Sequence, residues 1–169
     1  MKEGTYISMK TIKKTNVMRI LDQNKIPYVC HDYTDSSTTV GTEVAAVLNQ
    51  DPNRVFKTLV TVGSSKINYV FMVPVNRELN LKKAAQAVGE KSIEMIKSKE
   101  LLPLTGYIHG GCSPIGMKKF FTTTIDETAK DWDTIIFSAG KIGYQVEVSL
   151  ENLSKVIRYQ LKDICDKEN

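Results

Sequence analysis

The segment Gly110–Gly116 restricts the fold more than any other part of this chain. It reads Gly-Gly-Cys-Ser-Pro-Ile-Gly, and Lys118 and Lys119 follow shortly after it. Three glycines and a proline among seven residues cannot continue a helix or a central strand. The segment is therefore predicted to be a shaped loop. Its exposed backbone N–H groups can bind a phosphate, a carboxylate or a carbonyl oxygen.

The composition is typical of one soluble globular domain. Of the 169 residues, 41% are hydrophobic and 25% are charged, so the chain can bury a core without disulfide bonds or a structural metal ion. The net charge of +4 permits contact with nucleic acid but does not require it. We expect residues 1–12 to form a loosely ordered extension and residues 13–169 to form a single domain.

Several classes of protein are disfavoured by the sequence. Three cysteines without a CxxC pair and only two histidines argue against a disulfide framework and against a metal site. The P-loop spacing and the dinucleotide fingerprint are both missing, so we expect no cofactor. An apolar run long enough to cross a membrane and a signal peptide are also missing. We expect a reducing, cytoplasmic setting.

The apolar pattern predicts separate helices mixed with hairpins and adjacent strands, which indicates an α+β fold with a mixed sheet. Helices are predicted after the capping residues Thr15, Asn80, Ser92 and Ser149, and over Gly41–Asn49. Strands are predicted over Tyr28–Tyr33, Val55–Val62, Ile67–Val73, Tyr107–Ile108, Phe120–Ile125, Thr134–Ser138 and Tyr144–Val148. The second and third of these strands form a hairpin across residues 63–66.

Lys57 is the most unusual charged residue, because it interrupts a strand that is otherwise mostly apolar. Alternation along the strand places Lys57 on one face with Val55 and Leu59, and Thr58 on the other. The lysine either points into a cleft or extends along the strand end to solvent. The spacing alone favours the second, structural explanation.

Other candidate groups have structural explanations that are at least as good. Ser113 lacks an evident triad, since His109 lies only four residues earlier and no partner acid is evident. Cys112 is better explained as a packed side chain than as a nucleophile. The glycine-containing segment Ser138–Gly143 is predicted to be a hairpin turn, and it becomes a second wall of the same pocket if the strands converge. The lysine pairs at 118–119 and 82–83 are candidate phosphate contacts or simply solvated surface.

Taken together, these segments resemble the YbaK/EbsC family of aminoacyl-tRNA deacylases, which is related to the editing domain of bacterial prolyl-tRNA synthetases. The resemblance runs in order from about Asn16 to Asp163. The segments that carry it are Arg19–Ile26, Tyr33, Gly41–Val44, Val55–Leu59, Leu79–Ala84, Thr105–Tyr107, Gly110–Gly116 with its two lysines, and Ser138–Gly143. Free-standing Cys-tRNA(Pro) deacylases are the most similar group.

The resemblance implies a mixed, partly barrel-like sheet flanked by helices, and an enzyme that removes cysteine from tRNA(Pro), with Cys-tRNA(Cys) as a further substrate. In such enzymes the thiol of the substrate attacks the ester, so the protein supplies position and oxyanion stabilisation rather than a nucleophile. Prolyl-tRNA synthetase is the partner that the resemblance suggests.

The resemblance also implies roles for individual residues. Lys57 matches the key lysine of the family, whose ammonium would hold the terminal ribose or phosphate. The Gly110–Gly111 backbone would donate to the aminoacyl carbonyl. The substrate-binding residues implied are Tyr33, Val40, Thr58, Gly110, Gly111, Ser113, Pro114, Gly116, Ser138, Gly140 and Gln145.

Two positions depart from the family pattern, and they keep other functions open. Gln145 stands where the relatives often carry aspartate, and Val40 stands where they often carry phenylalanine. The loss of a carboxylate weakens contact with a substrate ammonium group. Hydrolysis of Ala-tRNA(Pro) or of another aminoacyl-tRNA, and a non-catalytic module that binds tRNA or nucleotides, are the alternatives.

Overall fold

The strands of the protein form two sheets, which a computed structural model describes over residues 13–166. The strands are β1 Val29–Asp32, β2 Phe56–Gly63, β3 Asn68–Pro74, β4 Ile93–Met95, β5 Thr122–Asp126, β6 Ile135–Ser138, β7 Tyr144–Val148 and β8 Gln160–Lys162. The α-helices are α1 Asn16–Gln23, α2 Gly41–Val47, α3 Leu81–Val88, α4 Ser98–Thr105 and α5 Leu150–Leu153. The predicted extension over residues 1–12 lies outside the described residues, as do residues 167–169.

The larger sheet is mixed and the smaller one is antiparallel. Five strands follow the order β4-β2-β3-β5-β8, in which β5 runs parallel to both of its neighbours. Three strands follow the order β1-β7-β6. Both sheets stay open, and a parallel bridge between Val55 and Ile136 joins them at the start of β2. The predicted α+β fold with a mixed sheet is confirmed.

Both faces of the larger sheet are buried, because successive side chains of its central strand point to opposite sides. Phe71 and Val73 pack against Ala84 and Ala85 of α3. Met72, between them, joins the main core with residues of α1 and of the smaller sheet. The near-continuous apolar sequence of β3 follows from burial on both faces.

Local signals in the sequence located most of the elements. The Thr15 side chain accepts a hydrogen bond from Met18 N at the start of α1. The Asn80 side chain caps α3 in the same way, and Gly89 ends that helix in a left-handed conformation. The hairpin of β2 and β3 is present, with Lys57 opposite Val73 and Thr58 opposite Met72. The predicted faces of β2 are therefore confirmed.

The helix predicted after Ser92 is wrong. Ile93–Met95 instead forms β4, which pairs with β2 so that Ile93 lies opposite Gly63. A short apolar run does not distinguish a strand from a helix, and here the open edge of β2 decides the outcome. The helix begins later, at Ser98, and it includes Pro103.

The long helix predicted after Ser149 is also wrong. Ser149 does cap a helix, but α5 ends at Leu153 after one turn. The chain then forms β8, in which Leu161 pairs with Ile125 of β5. The apolar residues that matched a helical stripe serve the core in an irregular turn and an edge strand instead.

The loop Gly110–Gly116 is held at both ends by hydrogen bonds. Tyr107 and Ile108, which were predicted as a strand, lead into a turn in which Gly111 N–H donates to the Ile108 carbonyl (3.0 Å). The Tyr107 hydroxyl donates to the Ile115 carbonyl at the other end. Burial raises the pKa of Tyr107 to about 12, so this donor stays protonated. The shape of the loop therefore depends on the buried phenol.

Replacing Gly116 with alanine tests this closure. Gly116 has φ +80°, and a Cβ there would lie 2.9 Å from Tyr107 Oη, so the phenol has to move. Gly89→Ala is the matched control, because Gly89 has φ +75° but no neighbouring atom within 4 Å of the added carbon. We expect Gly89→Ala to lower the free energy of unfolding by about 1 kcal/mol and Gly116→Ala by about 2–3 kcal/mol. Equal losses in urea unfolding would contradict the steric role.

A polar network crosses the smaller sheet around Glu147. The Glu147 carboxylate accepts hydrogen bonds from His31 Nε2 (2.7 Å) and from the Thr134 hydroxyl, and Arg54 Nη2 lies 3.8 Å from it. The Arg54 guanidinium also lies over the Trp132 ring, at 5.2 Å. Burial alone would raise the pKa of Glu147, but the bonds from Thr134 and His31 and the charges of His31 and Arg54 hold it below its usual value.

Because of this network, the stability of the fold decreases at acid pH. Because the pKa of Glu147 is lower in the folded state, its carboxylate stabilises the fold above the usual value of 4.5, and that stabilisation is lost as the pH falls through the lowered pKa. We expect Glu147→Gln to lower the free energy of unfolding at pH 7 by about 1–2 kcal/mol. It should also flatten the acid limb of a pH series of urea unfolding curves. Glu94→Gln, at an exposed position of β4, should change neither.

Candidate active site

A cavity of about 630 Å³ opens along the free edge of β2. The bridge from Val55 to Ile136 closes one end of this edge, and the pairing of Thr61 with Met95 closes the other. The residues between them, from Phe56 to Val60, line the cavity. The Val60 carbonyl accepts from Ile96 N (3.3 Å) at this edge, so the N–H and C=O groups of Thr58, two residues earlier, point to the same side.

The two glycine-containing loops meet at the opposite wall of the cavity. A Cβ on Gly111 would lie 3.3 Å from Ile142 N, so the close approach of the loops depends on the absence of a side chain there. Gly110 and Ser138, one from each loop, both line the cavity. The strands do converge, and the segment Ser138–Gly143 forms the predicted hairpin turn, but of this segment only Ser138 lines the cavity.

The structure brings most of the predicted site residues together. Lys57 and six of the predicted substrate-binding residues line the cavity: Tyr33, Val40, Thr58, Gly110, Ser138 and Gln145. Val40 is 54% exposed, which places it at the mouth. Five predicted residues do not line it: Gly111, Ser113, Pro114, Gly116 and Gly140. These five shape the loops instead.

The hydrogen bonding of Gly111 differs from the role that was predicted for the loop backbone. Its N–H already donates to the Ile108 carbonyl at 3.0 Å. A donor engaged in a turn is not free to stabilise a substrate carbonyl. The predicted contribution of Gly111 as a donor is therefore wrong, and its part is to let the two loops approach each other.

Lys57 is held by one carboxylate. Its ammonium lies 3.1 Å from Glu78 Oε2, and the side chains of Lys57 and Glu78 are 32% and 75% exposed, respectively. Ion pairs with so much exposure contribute little, at most about 1 kcal/mol. The ammonium can therefore exchange this partner for a ligand phosphate or hydroxyl.

Thr58 carries a buried hydroxyl beside Lys57. Its buried Oγ1 has no hydrogen-bond partner among the described residues, and Thr58 is one of the residues that line the cavity. An unpaired buried hydroxyl costs about 1–3 kcal/mol. A polar ligand in the cavity would remove this cost if a shift of the Thr58 side chain brought the hydroxyl to the cavity surface.

The neutral amide of Gln145 lines the cavity. Gln145 is 6% exposed and lies opposite Ser138 in the pairing of β6 with β7. Its Oε1 accepts from Gln50 Nε2 at 2.8 Å. The Ser138 hydroxyl accepts from Gly140 N at 3.1 Å, which orients it. At the position where the resemblance leads to the expectation of a carboxylate, this chain thus has an amide with an amide partner.

The two candidate nucleophiles of the loop are not activated. Cys112 lines the cavity, but burial raises the pKa of its thiol to about 12, so the reactive thiolate is scarce at neutral pH. Ser113 is fully buried, and its Oγ accepts from Ile115 N at 3.4 Å. The interpretation of both residues as packing and shape agrees with this geometry.

Sequence reasoning missed the wall formed by β4 and the start of α4. Met95, Ile96, Ser98 and Leu101 line this side. Because that segment was predicted to be one helix, no pocket residue was expected there. His109 also lines the cavity, but it carries no predicted role.

Two searches of residues 13–166 gave negative results. No helix in that part of the chain is long and apolar enough to span a membrane. The same residues contain no group of three or more histidine, cysteine, aspartate or glutamate side chains that could hold a metal ion.

Comparison with known proteins identifies the family of this chain. The model of the aminoacyl-tRNA editing domain matches residues 34–156. The chain is 46% identical over 160 residues to EbsC of Enterococcus faecalis (strain ATCC 700802 / V583), provisionally assigned as a Cys-tRNA(Pro)/Cys-tRNA(Cys) deacylase. That alignment covers 94% of this chain and 98% of EbsC. A proline–tRNA ligase of Thermosipho africanus (strain TCF52B) is 33% identical over 87 residues, which are 52% of this chain and 15% of the ligase.

Solved structures share the fold. A protein provisionally described as a trans-editing enzyme for prolyl tRNA synthetase superimposes with a TM-score of 0.77 at 22% identity, covering 92% of this chain and all of the other. A hypothetical protein superimposes with a TM-score of 0.81 at 18% identity, covering 90% of this chain and all of the other. With the family match over residues 34–156 and the close relationship to EbsC, the chain belongs to the aminoacyl-tRNA editing domain family.

Proposed function

We propose that this protein is an aminoacyl-tRNA deacylase that removes cysteine from tRNA(Pro), with Cys-tRNA(Cys) as a further substrate. The observation that carries the proposal is the cavity, which combines the Lys57 ammonium with a loop whose thiol is protonated. Membership of the editing family and the 46% identity to EbsC support the reaction class and the amino acid. A reaction in which the substrate provides its own nucleophile suits such a cavity.

The Lys57 ammonium binds the terminal ribose or phosphate in this proposal. Glu78 gives up its contact when the substrate enters, because the exposed pair is weak. The neighbouring Thr58 hydroxyl bonds to the ester-bearing group, which supplies the partner that the hydroxyl lacks among the described residues. Both contacts place the ester at the free edge of β2.

Two backbone donors face the ester carbonyl. The N–H of Thr58 points to the edge of β2 that borders the cavity, and the N–H of Gly110 belongs to the opposite wall. Donors fixed in this way stabilise the negative charge that develops on the carbonyl oxygen. Gly110 has φ +89°, a conformation that glycine adopts without strain.

The reaction needs only the substrate and these contacts. The cysteine sulfur of the substrate bonds to its own carbonyl carbon, and the bond from that carbon to the ribose oxygen breaks. The proton that the thiol loses ends on the ribose oxygen, so that the products are a cysteine thiolactone and free tRNA. Positioning of the thiol against the ester provides most of the acceleration. A substrate without the thiol does not react by this route.

Delivery of the substrate is a separate part of the proposal. The net charge of +4 is modest for unaided binding of tRNA. We propose prolyl-tRNA synthetase as the partner that supplies the mischarged tRNA, and the cytoplasm as the location.

A panel of charged tRNAs tests the proposed substrate. We expect Cys-tRNA(Pro) to lose its amino acid faster than Pro-tRNA(Pro), Ala-tRNA(Pro) and Ser-tRNA(Pro), as measured by release of the radiolabelled amino acid. Lys57→Ala should slow the reaction on the order of 100-fold, since it removes a charged contact at the reacting end. Lys82→Ala, an exposed lysine of α3, is the matched control and should leave the rate within about twofold.

Each other result of the panel has a defined meaning. Faster loss from Ala-tRNA(Pro), with free alanine as the product, would replace the proposal with a hydrolase for alanine. Loss at equal, slow rates from all four tRNAs, unchanged by Lys57→Ala, would sink the deacylase proposal. Binding of tRNA without any loss would leave a binding module.

Cys112→Ala tests the origin of the nucleophile. Because burial keeps the Cys112 thiol protonated, we expect the variant to retain its rate within about threefold. Mass spectrometry should detect cysteine thiolactone as the first product. A loss of 1000-fold or more, on the scale of a missing catalytic nucleophile, would transfer the role from the substrate to the protein.

A further inference from the structure

A second concave site lies beside the cavity and is not used by the proposed reaction. This groove of about 400 Å³, here called the Phe120 groove, is lined by Lys119, Phe120, Lys155 and Arg158, and also by Pro114 and Gly116. The segment after β7 and α5 provides one side, and the segment before β5 provides the other. The charge of the groove and its exposed aromatic ring indicate which kind of ligand it binds.

The charge of the groove has one sign. Lys119, Lys155 and Arg158 are all exposed, and no aspartate or glutamate is among the described residues that line the groove. Three cations around one concave surface attract a polyanion more than isolated surface lysines do. A chain of phosphodiesters satisfies this pattern.

The groove also presents an aromatic ring. Phe120 is 57% exposed, although the next residue, Phe121, is packed in the core at 6%. The Arg158 guanidinium lies 4.7 Å from the centre of the Phe120 ring and limits its orientation. An exposed ring among cations is the combination with which proteins bind single-stranded nucleic acid, because bases stack on the ring while phosphates meet the cations.

The groove and the cavity share the loop Gly110–Gly116 as a wall. Cys112 lines the cavity and Pro114 lines the groove. Their Cα atoms are two residues apart, which is at most about 7 Å, or about two stacked base steps of one strand. A nucleic acid whose terminal group occupies the cavity therefore has the Phe120 groove on the other side of the same loop.

We propose that the Phe120 groove binds the single-stranded 3′ end of the RNA substrate, with one base stacked on Phe120 and phosphates bound to Lys119, Lys155 and Arg158. The proposal rests on the proposed function for the choice of RNA. It adds a binding site to that function, and it can be tested without any ester cleavage.

Binding of a fluorescent single-stranded RNA of eight nucleotides ending in CCA tests the groove directly. We expect Phe120→Ala to raise Kd roughly 5- to 100-fold through loss of stacking, and Phe120→Trp to keep it within about threefold. Lys155→Glu should also raise Kd, and it should reduce the slope of log Kd against log salt by about 0.7 per lost phosphate contact. The full-length chain is used, and thermal unfolding checks that each variant is folded.

Matched variants on α3 distinguish RNA binding in the groove from a general effect of the charge of the protein. Lys82→Glu reverses one positive charge, as Lys155→Glu does, and Leu81→Ala removes an exposed apolar side chain (42% exposed). Both lie on the helix that packs on the other face of the larger sheet, and both should leave Kd within about twofold. Inorganic polyphosphate, which has charge without bases, should lose affinity with Lys155→Glu but not with Phe120→Ala.

The outcomes keep this proposal distinct from the deacylase proposal. Equal effects of Lys82→Glu and Lys155→Glu, or an unchanged Kd in Phe120→Ala, would overturn the groove as an RNA site. So would the absence of RNA binding by the unaltered protein at low salt, which would leave the groove to an acidic protein surface. If deacylation occurs, Lys155→Glu should raise KM for charged tRNA but not for an aminoacyl-adenosine. If the protein binds RNA through the groove but does not deacylate any charged tRNA, only the deacylase proposal is contradicted.

Discussion

The register between β2 and β3 is the constraint on which the rest of the site depends. Phe71 and Val73 are fully buried against α3, so β3 has one permitted orientation, and β2 takes its register from β3. A slip of one residue would exchange the faces of Lys57 and Thr58. It would also turn the backbone groups of Thr58 away from the free edge. Burial of the strand beside β2 thus fixes which groups of β2 face the cavity.

The sequence was sufficient wherever the signal was local. The hairpin of β2 and β3, the caps at Thr15 and Asn80, and the unusual position of Lys57 depend on neighbours within a few residues, and the structure confirms them. The pairing of β4 with β2 and of β8 with β5 depends on partners far along the chain. Those segments are short and apolar, so their periodicity did not distinguish strand from helix.

The candidate site shows the same limit. The family resemblance brought seven predicted residues into one cavity, but it treated the whole glycine loop as its wall. Only the start of that loop lines the cavity, and the Gly111 N–H is already bonded to Ile108. A run of glycines predicts backbone freedom, but it does not say whether that freedom serves a ligand or the packing of another loop. Here the close approach of Gly111 to Ile142 shows that the freedom serves the packing of the two loops.

The pair of Lys57 and Glu78 has a consequence for selectivity against small anions. In the free protein the lysine is already neutralised, so an isolated phosphate ion gains only the difference between two similar contacts and meets a carboxylate nearby. A ligand that also bonds to Thr58 and fills the cavity has other favourable terms and can displace Glu78. Because the pair is exposed and weak, Glu78 adds only a small competing charge beside Lys57, which a ligand with several contacts outweighs more readily than an isolated phosphate ion does.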